Sequence, residues 1–494
     1  MRWLFGDQLG PHFLDDDAAD ASRVLLIESR SAFARRRYHR QKAHIVLSAL
    51  RHRAVELGER GEYIATTTYR EGLATVSGPL TVINPTSWPA RGLLRDIART
   101  RPVQVLASRG FVTSEEEFDA WAKGRKVLRL EDFYRDARRR TGILMEGDEP
   151  VSGRWNFDAD NRLPPPRGAT TLGLPAPRWP VEDDIDAQVR EDLDRWQREG
   201  MEFVGEDGPR LFAVTRAEAL TALDDFVRHR LGDFGPYEDA ALVGDWPMAH
   251  SLLSVPMNLG LLDPLEVMER IVEAGREGRA SLASVEGFVR QVLGWRDYVW
   301  HLYWHFGPSY VTESNSLGAH APLPDWFADL RAEDVRARCL SVALAEVRSR
   351  GWNHHIIRLM VLGNWALQRG YDPREVTEWF TASYVDAYPW VMAANVVGMA
   401  LHADGGRMAT KPYAAGGAYI KRMTDFCGGC AYRPDRRVGE QACPVTAGYW
   451  AFIDRHLEEF ARHPRMAQPA RGLGRLGDRE ELLEQERRRG SDPP

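Results

Sequence analysis

Cysteine is the scarcest chemical resource in this 494-residue chain: there are four, Cys339, Cys427, Cys430 and Cys443. No apolar run approaches the roughly 18–20 residues that a membrane helix needs. No export signal precedes the strand-like Trp3-Leu4-Phe5. Free thiols without an export signal point to a reducing cytoplasm. The alternating first 130 residues hold no Gly-x-Gly-x-x-Gly, so no dinucleotide fingerprint follows a strand there. A net charge of −6 and a pI near 6.2 give no bulk signal for nucleic-acid binding, although a local basic face stays open. No internal repeat is visible, and the expected state is a monomer.

What is present has a clear order. Short apolar runs at Trp3–Phe5, Val24–Ile27, Tyr63–Thr67, Leu80–Ile83 and Val103–Ala107 alternate with helical stretches such as 35–57 and 115–123. That alternation predicts parallel strands with crossover helices, a doubly wound α/β domain over 1–130. Ligands in such folds sit at the carboxyl edge of the strands, where Gly6-Asp7-Gln8-Leu9 and Glu28 fall. Residues 131–190 read as a linker, proline-rich after 150. From 191 to 465 the pattern is helical throughout, which predicts a large all-α domain that owns the cysteines. Residues 466–494, rich in Arg, Glu and Gly, read as a mobile charged tail with one short helix.

Several stretches carry chemistry. Cys427-x2-Cys430-x12-Cys443, with Cys339 standing 88 positions before Cys427, reads as one site that uses every thiol. Four thiolates hold either a [4Fe-4S] cluster or a tetrahedral zinc, and spacing alone leaves both open, beside the bland reading of unrelated buried thiols. In Asn353-His354-His355-Ile356-Ile357-Arg358, His354 and Arg358 share one helix face and His355 points about 100° away. Imidazole moves protons near pH 7, but a pair of satisfied helix-start histidines is the plainer account. Asp386, among Tyr384, Tyr388 and Trp390, is a buried acid that needs a partner: a ring N–H, or in the bland case Arg296 or Arg358. Lys411 to Arg422 interleaves cations, Tyr413, Tyr419 and glycines, a weak signal for unstacked bases. Residues 30–53 hold many Arg and Lys and no acid, which makes an anionic partner plausible where a solvated face is usual.

Taken in order, Gly6-Asp7-Gln8-Leu9, His39-x-Gln41-Lys42, Phe234-Gly235-Pro236-Tyr237, His250-Ser251-Leu252-Leu253-Ser254, Glu286 to Gln291, Gly294 to Tyr298, His354-His355, Tyr384 to Tyr388 and the four cysteines resemble the iron–sulfur bacterial cryptochromes and photolyases, whose enzymes are prokaryotic (6-4) photolyases. The resemblance spans about residues 1–460. It implies a [4Fe-4S] cluster on Cys339, Cys427, Cys430 and Cys443, and FAD in the helical domain. FAD contacts would be Tyr237, His250, Ser251, Leu253, Ser254, Arg290, Arg296, Arg358, Asp386 and Tyr388. It also implies an antenna, 6,7-dimethyl-8-ribityllumazine, contacted by Asp7, Gln8, Leu9 and Glu28. UV-damaged DNA is the implied partner. His354, His355, Tyr413 and Tyr419 would form the lesion pocket, with His355 managing the proton and Trp379 lying on the path that reduces the flavin.

The chain departs from the family pattern at four places. Arg331 stands where a relay tryptophan is usual, Phe380 where a tyrosine, Met392 where a glutamate and Ile357 where a glutamine. The changes gather on flavin photoreduction. They keep two other readings in play beside a repair enzyme: a cryptochrome-type blue-light sensor without repair activity, and a flavoenzyme repurposed for a small molecule.

Overall fold

The computed structural model describes residues 1–15 and 23–494. Five parallel strands, β1 (Arg2–Leu4), β2 (Val24–Ser29), β3 (Gly61–Thr66), β4 (Leu80–Ile83) and β5 (Val103–Leu106), pair in the order β3-β2-β1-β4-β5. The first three strands in chain order run to one side and the last two to the other, so the winding reverses between β1 and β4. β1, β2 and β4 are apolar on both faces because both faces are covered. Trp3, Phe5, Leu25, Ile27, Leu80 and Val82 pack with Leu73, Leu94 and Ile97 on one side. Leu4, Val24, Leu26 and Ile83 face the other way, onto Ile45, Ala49 and Leu50 of the helix Arg40–Leu57. That second core continues without a break into Phe226, Leu253 and Leu293 of the helical region, so the two halves share a hydrophobic interior.

His39 fastens this joint. Its Nδ1 accepts from the Gln41 N–H at 3.1 Å, capping the helix Arg40–Leu57. Its Nε2 lies 2.8 Å from the Val347 carbonyl, on the helix Arg338–Arg350. Burial pushes the His39 pKa down to about 4, which keeps the ring neutral.

Three expectations change. The stretch read as a linker contains the helix Leu130–Thr141 and the hairpin of Met145–Glu146 with Glu149–Pro150, and only 154–183 lacks regular structure. The helix Asp184–Arg198 straddles residue 191 and packs, through Val189, Leu193 and Trp196, on Ala43 and Leu47 of the sheet domain. Asp183 starts it by accepting from the Ile185 and Asp186 N–H groups, a polar cap easily mistaken for loop composition. Second, the charged tail is docked. Leu473 and Leu482 are fully buried, and the tail forms the helices Ala467–Leu473 and Arg479–Arg489. A few well-placed leucines anchor a stretch whose average composition is polar. Third, the acid-free basic run meets acids brought from elsewhere. Arg36 pairs with Glu378, Arg37 with Asp329, Arg40 with Asp194 and Arg51 with Glu28 and Asp192. Most of its charge therefore joins elements rather than waiting for an anionic partner.

Candidate functional site

A cavity of about 630 Å³ opens where the sheet's winding reverses, between the loop after β1 and the loop after β4, the usual ligand position in an open α/β sheet. Asp7, Ser29, Arg35, Lys42, Tyr69, Thr86 and Trp88 line the sheet side, and Tyr303, Tyr310 and Tyr388 the helical side. Asp7 accepts from the Thr86 hydroxyl, and burial raises its pKa. The Lys42 ammonium donates to the carbonyls of Thr381 (2.7 Å) and Ala387 (2.5 Å) and lies over the rings of Tyr38 and Tyr388. Burial drops its pKa to about 7, so it exchanges its proton close to neutrality.

Of the four residues expected to meet an antenna, only Asp7 lines this cavity. Gln8 holds the turn instead: its carboxamide accepts from the Phe5 N–H and donates to the Ile83 carbonyl. Leu9 is core, 1% exposed, and its N–H reaches the Leu259 carbonyl. Glu28 points to the opposite face, where Arg51 holds it at 3.0 Å and the Tyr63 hydroxyl donates to it. The cause is the two-residue period of a strand: Ile27 and Ser29 face the cavity, so Glu28 cannot.

A polar knot lies deeper in the helical region. Asp386 accepts from both terminal nitrogens of Arg358 (2.8 and 3.0 Å) and from the Ser254 hydroxyl (2.7 Å). Arg358 also donates to the Asn353 carbonyl and lies over the Tyr384 ring. The buried acid's partner is thus Arg358. Beside the knot the rings of His250 and His354 stack at 4.3 Å. The Nε2 atoms of both are buried without a hydrogen-bond partner. Burial pushes His250 down to about 3 and His354 well below its ordinary value. The backbone around His250 is tight: Met248 and Leu252 have φ of 40° and 57°, in the left-handed region that side chains avoid and that functional sites store.

Arg296 has no carboxylate within salt-bridge reach among the described residues. It donates to the carbonyls of Gly110 (2.6 Å) and Met257 and lies against Phe111 and Trp390. Burial pulls its pKa down to about 10. An enclosed guanidinium without an acid, and two buried imidazole Nε2 atoms without a partner, suit an anionic, hydrogen-bonding cofactor such as FAD. Not every expected contact converges here. Arg290 is taken by Asp158 and Glu286. Leu253 is core, Tyr237 packs beside Ala240, Leu242 and Met248, Ser251 lines a separate groove with His250 and Trp179, and Tyr388 faces the sheet-edge cavity.

Three π-helical turns set this geometry: Arg290–Arg296, Ile357–Gly363 and Ala393–Ala400. Arg290 and Arg296 bound the first, Arg358 sits in the second and the third follows Met392 directly. Such turns are rare and cluster at functional sites. Side-chain periodicity gives no sign of them.

His355 lies outside the knot, 56% exposed, with Nε2 3.2 Å from Asp239. Although burial acts the other way, the bond from His355 and the charge of Arg162 hold the Asp239 carboxyl below its ordinary range. Burial, then Asp239, raises the Tyr419 pKa to about 12. Lys421 and Arg422 stand exposed on the helix Gly417–Met423, Tyr413 on the loop before it, and the Arg422 guanidinium lies over Tyr419. Trp379 is buried against Phe327 and Phe380, whose ring stacks on Tyr384. Arg331 is exposed and paired with Asp329.

The four cysteines line one small apolar cavity with Ile420, Phe426 and Val445, and none is in a disulfide. Burial raises the Cys339 pKa, and the neighbouring thiols Cys443, Cys427 and Cys430 raise it further. Yet no three of the sulfurs lie within 4.8 Å of one another: among the described residues only His52, Asp183 and Asp186 meet that spacing. Thiolates about 2.3 Å from one tetrahedral zinc would stand roughly 3.8 Å apart.

The chain is 38% identical over 497 aligned residues to a (6-4) photolyase of Agrobacterium fabrum, covering 96% of this chain and 95% of the relative. Residues 2–203 match the family model described as deoxyribodipyrimidine photo-lyase-related protein. The chain belongs to the photolyase-related family. Solved structures agree on its fold. A bacterial class III photolyase from Agrobacterium tumefaciens aligns with a TM-score of 0.57 at 18% identity, over 99% of this chain and 95% of its own. A Synechocystis cryptochrome aligns at 0.56 and 14%, over 99% and 98%. For a photolyase-related chain, Lys42, Tyr69 and Thr86 are cavity residues that sequence reasoning missed. The His39-x-Gln41-Lys42 motif was the available signal, since a lysine in the first turn of a helix capped by a buried histidine has a fixed place.

Proposed function

We propose that this protein repairs (6-4) pyrimidine photoproducts in DNA, using light and reduced FAD. The observation that carries the reading is the identity to a (6-4) photolyase running through nearly the whole of both chains. When bound, reduced FAD supplies the electron that light drives into the lesion. The protein does the rest. Arg296 and the free Nε2 atoms of His250 and His354 receive the cofactor, and the Arg358–Asp386–Ser254 knot fixes the wall beside it. His355, held by Asp239 on the open side, moves the proton as the hydroxyl returns to the 5′ base. Tyr413 and Tyr419 stack on the flipped-out lesion, whose extrusion costs a few kcal/mol and less where it is already poorly stacked. Lys421 and Arg422 hold phosphates.

Two finer assignments belong to the same proposal. The four thiols bind a [4Fe-4S] cluster, supported by their convergence and by sulfur spacing too wide for one zinc. The sheet-edge cavity takes the lumazine antenna, with Asp7, Thr86, Lys42 and Tyr388 around it.

The test is an absorption spectrum of protein purified without air, followed by illumination with a (6-4) oligonucleotide and a reductant. Flavin, lumazine and iron–sulfur bands with loss of the lesion's near-ultraviolet absorbance support all of it. Holoprotein with reduced FAD that leaves that absorbance untouched sinks the repair reading. The blue-light sensor is then favoured, and one observation already leans that way: Arg331, where a relay tryptophan is usual, is an exposed ion-pair residue.

A further inference from the structure

We propose that residues 478–494 act as a clasp that holds the four-thiol site in shape and so sets how tightly it keeps its metal. This rests on reading the four cysteines as a metal site, not on which metal they bind. The thiols come from distant parts of the chain. Cys427 and Cys430 share one turn and need little help to stay together. Cys339 opens the helix Arg338–Arg350, and Cys443 caps the helix Pro444–Arg455. Bringing those two to the same cavity carries the ordering cost of a long loop.

The clasp touches both. On the Cys339 side, the Pro494 carbonyl accepts from the N–H groups of Arg336 (2.6 Å) and Ala337 (2.8 Å), the two residues at the mouth of that helix. The Ser491 carbonyl accepts from the Trp326 indole at 2.8 Å, on the short helix Asp325–Ala328 that precedes this segment. On the Cys443 side, Gln485 accepts from the Gly439 N–H (2.9 Å) and donates to the Arg437 carbonyl, while Asp478 binds the Arg437 side chain at 2.8 Å. Both grips fall on the loop between Cys430 and Cys443. Deeper, Glu486 pairs with Arg369 at 2.7 Å, and Arg369 donates to the carbonyl of Pro444, the residue after Cys443. Leu482, fully buried, anchors the helix that carries these contacts.

Each of these bonds joins two protein groups and uses none of the thiols. The clasp therefore pays part of the ordering that metal binding would otherwise bear, which is how preorganisation raises affinity. Its residues touch no thiol, so they are positioning residues.

Two variants of the full protein test it: deletion of 478–494, and Gln485→Ala, which loosens one grip and leaves Leu482 in place. The readouts are metal per chain, the rate of metal release to a chelator under anaerobic conditions, bound FAD and the urea midpoint. Gln485→Ala should release metal about fivefold faster, and the deletion about tenfold or more, with FAD content and midpoint of Gln485→Ala matching wild type. Release at the wild-type rate in both variants overturns the clasp. So does faster release of Gln485→Ala that comes with an equal loss of FAD and midpoint, the behaviour of ordinary packing. Wild-type protein carrying zinc overturns the cluster assignment alone, and zinc release then reads the clasp in the same variants. Wild-type protein that binds no metal ends both.

Discussion

His250 stacks on His354 with ring centroids 4.3 Å apart, and each ring has a buried nitrogen without a partner. Two stacked imidazoles tolerate this only while both are neutral. His250 at about 3, His39 at about 4 and His301 at about 3 all titrate below their ordinary value because burial disfavours the charged form. The unfolded chain binds protons from pH 6.5 downward that the folded one refuses. Their contribution to stability is therefore whole above about pH 6.5 and falls as pH drops toward 4, by up to about 1.4 kcal/mol per pH unit for each group, partly offset by Glu346 and Asp297, whose burial-raised pKa values of about 7 and 6 act the other way. Urea midpoints at pH 7.5 and 5.5 should differ clearly, and His301→Gln should shrink the gap. Equal midpoints would count against the neutral-histidine account.

Asp386→Asn should be costly. It removes the charge that Arg358 faces while leaving the guanidinium in place, with side-chain exposures of 17% for Arg358 and 7% for Asp386. Breaking such a pair from one side costs about 3 kcal/mol, and Ser254→Ala about 1 kcal/mol. Urea unfolding gives both values. Copurified FAD should fall with Asp386→Asn, and a variant that keeps full FAD and full stability would remove the knot from the cofactor wall.

His355→Ala should separate chemistry from folding. The ring is exposed and its hydrogen bond goes to Asp239, so the midpoint should move by less than about 0.5 kcal/mol. Repair should slow roughly 100-fold or more if this ring handles the proton, with lesion binding retained. Repair within a few fold of wild type would pass the role to His354.

Lys421→Ala and Arg422→Ala test the DNA face. Each should weaken binding to any duplex and lower the slope of log K against log salt by about 1. An unchanged slope would put the phosphate track elsewhere.

The strands β1, β2 and β4 could be read from sequence because burial on both faces leaves continuous apolar runs. The cysteines could be read as one site because no thiol was spare, and the structure brings all four to one cavity. Other residues misled for identifiable reasons. Glu28 has the right chemistry at the right edge, but a one-residue change of phase in a strand reverses its face. Residues 466–494 are polar on average, and an average conceals Leu473 and Leu482. Lys42 sat inside a recognised motif, yet only the approach of Tyr388 from the other half of the chain turns it into a cavity residue.

The π-helical turns at Arg290–Arg296, Ile357–Gly363 and Ala393–Ala400 bear on how relatives can diverge. Each wide turn accommodates a residue that an α-helix would not. Removing one there would restore an ordinary helix and swing everything beyond it by about 100°, carrying the residues after Arg296, Arg358 or Met392 off their targets. Insertions and deletions should therefore be rejected in these three stretches more strictly than substitutions, so chain length there would be inherited more strictly than composition.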